Sequence, residues 1–430
     1  MVPINQDNLV QLNETFHNSN SSFHIIYGAN KSGKTTFIRD FMVKKSSVYF
    51  SGFSSTAKIL FPTYIEVINR KFKLKQSSRY YNTFESILSL LTEQTINEKT
   101  AIIFDNFQEL IKIDKNVLNI LVKYWDTTFK KQQITLICTL NNLQYQEYFD
   151  ILSPKIISLE QFPFENIQKK PVLTHTDKFY IYSIFGASSY FLSFYNTKLE
   201  LTKNVYQIVF QPNSPFYNYG FEYLQKDFSD IGTFSSILHA IAIGKHKIGQ
   251  IAEFLDVKST YLTRYMKKLQ DALIIKKELP IKQNYTYSKY GRYYISNHFL
   301  RFWFCYVYPN KNSLDIKKHT PVLKKLDTTI TQFIITPTYK NYIIKRIESN
   351  PLKYLGFSPH TFGPWWDNNG NNIDLVAYDD EHIVFVNILW ETKEKAILQY
   401  NHLKEMSTYI ETTKKKNYII ISKQTYLNNL

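Results

Sequence analysis

The sequence predicts an α/β chain of several domains. A parallel sheet covered on both faces comes first, then a helical lid, a helix-turn-helix domain with a β wing, and a mixed α/β C-terminal domain. Three observations predict this. The first third alternates short, wholly apolar runs with amphipathic segments, the pattern of strands buried on both faces. One apolar run leads straight into a glycine-bearing loop and a helix. The length of 430 residues exceeds one ordinary core. Domain boundaries are expected at 1–162, 163–228, 229–308 and 309–430.

Taken in order, Phe23–Tyr27 (FHIIY) reads as a buried strand and Lys34–Lys44 as a helix. Ser47–Phe50 is a short strand. Asn82–Gln94 is helical, with Phe84, Ile87, Leu88 and Leu91 on one face. Thr100–Phe104 is a second apolar strand, Lys115–Phe129 a helix, and Ile134–Thr139 a third apolar strand. Residues 163 to 225 are rich in aromatic residues and mostly helical. Three helices follow from about 230, then two strand-like runs. Beyond about 310, helices mix with strands at Ile373–Tyr378 and His382–Leu389.

Hydrophobic residues make up 44% of the chain, enough for packed domains and too many for disorder. The formal charge of +16 suits contact with phosphate or other anionic surfaces. The basic residues are spread along the chain, so solubility and codon bias account for the charge equally well. The two cysteines, Cys138 and Cys305, permit neither a disulfide framework nor a zinc site. The segment MVPINQDN lacks the features of a signal peptide, and the apolar run Phe302–Tyr308 is far too short to span a bilayer. A cytoplasmic protein without a membrane partner is expected.

The strongest motif is GANKSGKTT, Gly28–Thr36, which fits G-x-x-x-x-G-K-[ST] between a strand and a helix. Gly28 and Gly33 allow the backbone to curl around phosphates, with Ala29, Asn30, Lys31 and Ser32 between them. The helix N-terminus favours the anion. Lys34 would reach the β- and γ-phosphates, Thr35 would hold Mg²⁺, and Thr36 would assist at the α-phosphate. ATP is the expected ligand, and no base-selecting motif separates it from GTP. Asp105 ends the second apolar run and is the expected partner of the magnesium. The next residue, Asn106, cannot accept a proton and so cannot act as a general base. Glu109 is the nearest alternative carboxylate. Asn141, after the third apolar run, is a candidate sensor of the γ-phosphate or a plain loop residue. No arginine lies between Arg79 and Arg264, so any arginine finger comes from Arg264 or a partner subunit.

Further along, Ser235–Ile243, Ile248–Leu255 and Ser259–Leu273 read as three helices, with a short Asp256–Lys258 turn and Ser259 as N-cap. Leu262, Met266 and Leu269 form an inner face. Lys258, Thr260, Tyr261, Arg264, Lys267 and Lys268 form an outer one suited to DNA. Leu273–Leu279 and Tyr285–Ile295 would form the wing. An internal role, packing on the sheet domain, competes with DNA contact.

The stretches IIYGANKSGKTTFIRDF, AIIFDNFQEL and LICTLNN resemble the archaeal-type ATPases of the STAND group of P-loop NTPases. The segment from ILHAIAIG to KKELP resembles that family's winged helix. The segments YYISNHFLRFWFCYVYPNKN and FGPWWDNNGNNIDLVAYDDEHIVFVNILW resemble the C-terminal domain that often follows, which is similar to the PD-(D/E)xK restriction-endonuclease fold. The chain departs from the family pattern at Gln6–Asp7–Asn8, where an Arg-Glu pair is missing. Asn106 replaces a glutamate, and Gly186–Ala187–Ser188–Ser189 replaces a Gly-Gly-x-Pro lid motif. In the C-terminal domain Asp374 matches the nuclease aspartate. Asn387–Ile388–Leu389 replaces Glu-x-Lys, and Lys340 stands near the helix acid. The resemblance therefore implies phosphate and Mg²⁺ binding without nuclease activity, with Trp365 and Trp366 serving the fold. The expected function is a nucleotide-controlled switch with slow or partner-dependent hydrolysis, acting through DNA, a protein partner or self-assembly. The alternatives are an active ATPase with another carboxylate, or a non-enzymatic DNA-binding regulator.

Overall fold

In the computed structural model, the described residues are 6–423 apart from 19, 96–98, 146–148, 150–151, 160–163, 169–172, 282–289 and 391–392. The chain divides into two compact units, one of residues 1–163 with 271–273, the other of 164–270 with 274–430.

The first unit is built on a five-stranded sheet. Its strands are β1 (Ser22–Tyr27), β2 (Ser47–Ser51), β3 (Thr100–Asp105), β4 (Ile134–Leu140) and β5 (Lys155–Ser158). They lie in the order β2-β3-β4-β1-β5, all parallel. Helices α1 (Gln6–His17) and α2 (Lys34–Met42) share one core with Ile26, Ile103 and Ile137. The opposite face of the strands, with Ile25, Phe104 and Leu136, packs with α3 (Ala57–Phe72), α4 (Phe84–Gln94), α5 (Phe107–Ile113) and α6 (Val117–Thr127). Every residue of β1, β3 and β4 is buried, which is why these strands read as unbroken apolar runs. Four elements had no clear signal in the sequence: α1, α3, α5 and β5. Pro62 lies inside α3, where a missing N–H and the ring usually break a helix. Burial of Leu60, Phe61, Tyr64, Ile65 and Ile68 on one side holds it.

The second unit begins with helical segments, among them α7 (His175–Phe185). Gly186, the start of the altered lid motif, ends α7 with φ 65°. Then come α8 (Gly232–Ala242), α9 (Ile248–Phe254) and α10 (Ser259–Asp271), followed by β6 (Ile275–Glu278) and β7 (Arg292–Ile295), an antiparallel pair. Two corrections to the sequence reading apply. Ser259 is the first helical residue of α10 and not its cap. Leu273 has φ 57°, so β6 starts beyond it, and much of the expected Tyr285–Ile295 strand lies outside the described residues. Helices α11 (His298–Tyr306), α12 (Thr320–Ile330) and α13 (Thr336–Ser349) follow. The chain ends with β8 (Thr361–Trp366), β9 (Asn372–Tyr378), β10 (His382–Leu389), α14 (Lys393–Met406) and β11 (Lys415–Ser422). That sheet has the order β11-β10-β9-β8, with β10 and β11 parallel and the other pairs antiparallel.

The many aromatic residues of this unit have a place. Helix α11 buries seven consecutive-face and off-face residues, from Phe299 to Tyr306, so it lacks an exposed polar stripe. Phe185, Phe191, Phe216 and Tyr219 pack on Phe299, and Phe179 stacks on Trp390 at 4.9 Å. Such ring pairs add specificity beyond the area they bury.

Two histidines, His24 buried and His298 half-buried, make stability depend on pH. Burial, with a smaller effect from Lys155, pulls His24 in β1 from 6.5 to about 4. Burial, then Arg301, pulls His298 in α11 to about 3. Above pH 6.5 both are neutral whether the chain is folded or not. Below pH 6.5 the unfolded chain takes up protons that the folded chain refuses until pH 4 or lower. Stability is therefore full above pH 6.5 and falls as pH drops toward 4, by roughly 3 kcal/mol for His24. Denaturant titrations at pH 7 and pH 4.5 should show this loss, and His24→Gln should make the dependence shallower. Equal stability at the two pH values would contradict the neutral burial of these rings.

Candidate functional site

The expected loop lies between β1 and α2. Its two glycines serve different needs. A Cβ on Gly28 would lie 2.3 Å from Ser32 Oγ and 3.0 Å from Leu159 O, so only glycine fits the neck of the loop. Gly33 adopts φ 94°, a left-handed conformation that a side chain disfavours. Lys31 also turns left-handed, at φ 63°. The Gly28 N–H donates to Leu140 O at 3.1 Å, tying the loop to the tip of β4. Gly33 precedes α2 without a side-chain cap, which leaves the first-turn N–H groups suited to an anion. Lys34 is buried, and its Nζ donates to Gly28 O at 2.6 Å and Ala29 O at 3.1 Å. Ser32 is buried, Ala29 and Asn30 are half-buried, Thr36 is half-buried, and Thr35 is exposed. Asn141 is buried beyond β4, with Nδ2 donating to Asn30 Oδ1 at 3.2 Å, so the loop and the expected sensor meet.

Asp105 joins these parts. Its carboxylate is 1% exposed. Thr35 Oγ1 and Tyr49 Oη each donate to Oδ2 at 2.7 Å, and Thr139 Oγ1 donates to Oδ1 at 2.5 Å. Among the described residues no cationic side chain forms an ion pair with it. A buried carboxylate held by hydroxyls and by no cation suits a hard divalent cation. A hydroxyl that gives its proton to Asp105 also keeps lone pairs for such an ion, and Thr35 is that hydroxyl. These residues therefore fit Mg²⁺, which takes few protein ligands beside phosphate and water.

The neighbours of Asp105 clarify its chemistry. Asn106 is in the left-handed region at φ 56°, which an asparagine tolerates better than most residues. Its N–H donates to Thr139 Oγ1 at 2.8 Å and its carbonyl accepts from the Glu109 N–H at 2.9 Å, so its backbone starts α5. Glu109 pairs with Lys112 at 2.9 Å. It makes no hydrogen bond to the loop or to Asp105 among the described residues.

In the second unit, Lys258, Thr260, Tyr261, Arg264, Lys267 and Lys268 are all exposed, while Leu262, Met266 and Leu269 of α10 are buried. The Arg264 guanidinium lies 4.8 Å from the Tyr265 ring and 5.4 Å from the Tyr261 ring. Asp374 on β9 pairs with Lys340 of α13 at 2.6 Å. It also accepts the Ile388 N–H at 2.8 Å, and its own N–H donates to Asn387 Oδ1.

Tyr49 and Thr139 escaped the sequence reading. Thr139 lay within an apolar run and looked like strand filler. Tyr49 shows only as one alternate position of a short strand. Burial, then the charge of Asp105, pushes the Tyr49 phenol well above its usual range, as expected for a donor held against a carboxylate. Tyr49→Phe should lower stability by about 1–2 kcal/mol, since hydrogen bonds to charged groups contribute somewhat more than neutral ones and water replaces part of this one. Chemical denaturation checks it, and an unchanged midpoint would mean that Asp105 does not rely on this hydroxyl.

With the geometry in place, comparison with known proteins is informative. Residues 6–142 match the family described as an ATPase domain predominantly from Archaea. Residues 303–402 match DUF234, described as Archaea bacterial proteins of unknown function. The uncharacterized protein MJECL04 of Methanocaldococcus jannaschii is 25% identical over 401 residues, covering 90% of this chain and 87% of the relative. The Walker-type ATPase PABY2304 of Pyrococcus abyssi is similar in fold, with a TM-score of 0.52 at 12% identity over 70% of this chain and 95% of that one. No helix among the described residues is long and apolar enough to cross a membrane. The parallel five-stranded sheet, the loop before α2 and these matches lead to one conclusion: the chain carries an archaeal-type ATPase domain followed by a C-terminal DUF234 domain.

Proposed function

We propose that this chain binds ATP with Mg²⁺ at Gly28–Thr36 and works as a nucleotide-controlled switch with slow or partner-dependent hydrolysis. The observation that carries the reading is the hydrogen bond from Thr35 to buried Asp105. It brings the loop and the strand acid into one site with a charge suited to a metal ion. Thr35 and Asp105 would hold Mg²⁺, which would supply charge neutralisation for the phosphates. The loop backbone and Lys34 would hold the phosphates, and Asn141, hydrogen-bonded to Asn30 of the loop, would report on the last of them. Asn106 offers no proton acceptor, and Glu109 is committed to Lys112, which supports slow turnover.

The switch output in this reading is α10, the third helix of a winged helix with β6 and β7 as its wing. Its six exposed residues Lys258, Thr260, Tyr261, Arg264, Lys267 and Lys268 favour DNA as the partner. Nucleotide occupancy would govern the availability of that face to DNA. In the C-terminal domain the Lys340 ammonium neutralises Asp374, where a metal ion would be required for phosphodiester cleavage. A nuclease role is not part of the proposal.

Calorimetry with Mg²⁺–ATP should show one site in the parent chain and none in Lys34→Ala, with little phosphate released. Glu109→Gln should leave that slow release unchanged. Turnover at ordinary ATPase rates, roughly 1 s⁻¹ or faster, with its loss in Glu109→Gln, would replace the switch by a working ATPase. For the output, duplex DNA binding should weaken steeply with salt. Arg264→Ala and Lys267→Ala should each reduce the salt slope by about 1. Absence of binding at low salt would remove DNA from the proposal.

A further inference from the structure

The second unit contains a cavity of about 410 Å³ between the β6–β7 pair, α11, α13 and the edge of the C-terminal sheet. Its volume is within the range of small-molecule sites, roughly 300–1,000 Å³. Lys276 from β6, Arg292 from β7, Arg301 from α11 and Lys340 from α13 line it, with Tyr294 and Trp366 as aromatic walls. Two carboxylates also line it, and each is already taken. Glu278 pairs with Lys276 at 2.5 Å, and Asp374 pairs with Lys340 at 2.6 Å.

Two guanidiniums are left over. Arg292 lies over the Trp366 ring at 4.3 Å and forms no ion pair among the described residues. Arg301 donates to Ile334 O at 3.2 Å and to Thr338 Oγ1 at 2.5 Å, its Nε–H has no partner, and it too lacks a carboxylate among the described residues. Burial lowers the pKa of Arg301 only to about 10, so it is charged at neutral pH. The Arg301 Nε–H is buried without a partner, which is costly for a charged group. Here β7 and α11 bring two guanidiniums that form no ion pair among the described residues to one cavity. Solvation alone would be served better by turning long arginine side chains outward.

We infer that this cavity is a second anion site, which takes a phosphate-bearing small molecule of nucleotide size or less. The planar, multi-donor guanidiniums of Arg292 and Arg301 match phosphate oxygens, and Tyr294 and Trp366 give a flat group something to lie against. A concavity of about 410 Å³ suits a small molecule better than the backbone of a nucleic acid. Lys340 on Asp374 keeps the carboxylate from repelling the ligand. The inference stands apart from the loop at Gly28–Thr36 and does not require ATP binding there.

The test uses the full chain carrying Lys34→Ala, so that the loop does not contribute. Inorganic phosphate, pyrophosphate and AMP are titrated by calorimetry at low salt, beside a duplex oligonucleotide. At least one of the three small anions should bind with a stoichiometry of one. Arg292→Gln and Arg301→Gln should each weaken it at least ten-fold, while Arg264→Ala should not. Arg292→Gln keeps the test sound if Arg301→Gln fails to fold, and circular dichroism with Mg²⁺–ATP binding in the Lys34 parent reports folding. The inference is overturned if none of the small anions binds. It is also overturned if they bind equally well to both arginine variants, or if only the oligonucleotide responds to these substitutions.

Discussion

Asp105 is the constraint around which the first unit is organised. It is nearly inaccessible to water, and it is stabilised by three hydroxyls instead of a cation. Each hydroxyl comes from a different element: Thr35 from α2, Tyr49 from β2 and Thr139 from β4. The strand order makes this possible, because β3 lies between β2 and β4 and its C-terminal end is bracketed by both. The loop strand β1 lies on the far side of β4, so Thr35 must reach across the tip of β4 to meet Asp105. A different strand order would leave the same sequence motifs unable to form one site.

Charge left uncompensated by the protein is the common feature of this site and of the cavity in the second unit. At Asp105 a carboxylate is held by neutral donors, which favours a metal ion. At Arg292 and Arg301 positive charge is fixed by a ring, a carbonyl and a hydroxyl, which favours an anion. Ion pairs elsewhere in the chain, such as Lys123 with Glu85, are exposed and contribute little to stability. Those pairs lie in water, whereas the Asp105 carboxylate and the Arg301 Nε are buried with no opposite charge in contact among the described residues.

Asn106 illustrates how a single residue carries both conformation and chemistry. Its left-handed backbone turns the chain from β3 into α5, and its N–H and carbonyl are both used in that turn. An asparagine suits the geometry and removes a base at the same place. The local fold therefore does not need a glutamate after Asp105, and nothing in the turn compensates for the lost proton acceptor.

Much of the candidate site was legible in the sequence. The loop spacing, the apolar strand before it and Asp105 at the end of a second apolar run rest on local rules. Chain curvature at glycine, helix polarity and period-two burial act within a few residues. The outer face of α10 was legible for the same reason, since helical spacing alone separates Arg264 and Lys268 from Leu262 and Met266. Tyr49 and Thr139 were not legible, because their importance arises from strand order, which brings residues 49, 105 and 139 together across the sheet. Helix α3 was hidden because Pro62 opposes helix locally, and only burial against the sheet overrides it. The cavity of the second unit was the least legible of all. Lys276, Arg292, Arg301 and Lys340 are ordinary basic residues in sequence. Only the packing of four elements decides that their charges meet in one cavity.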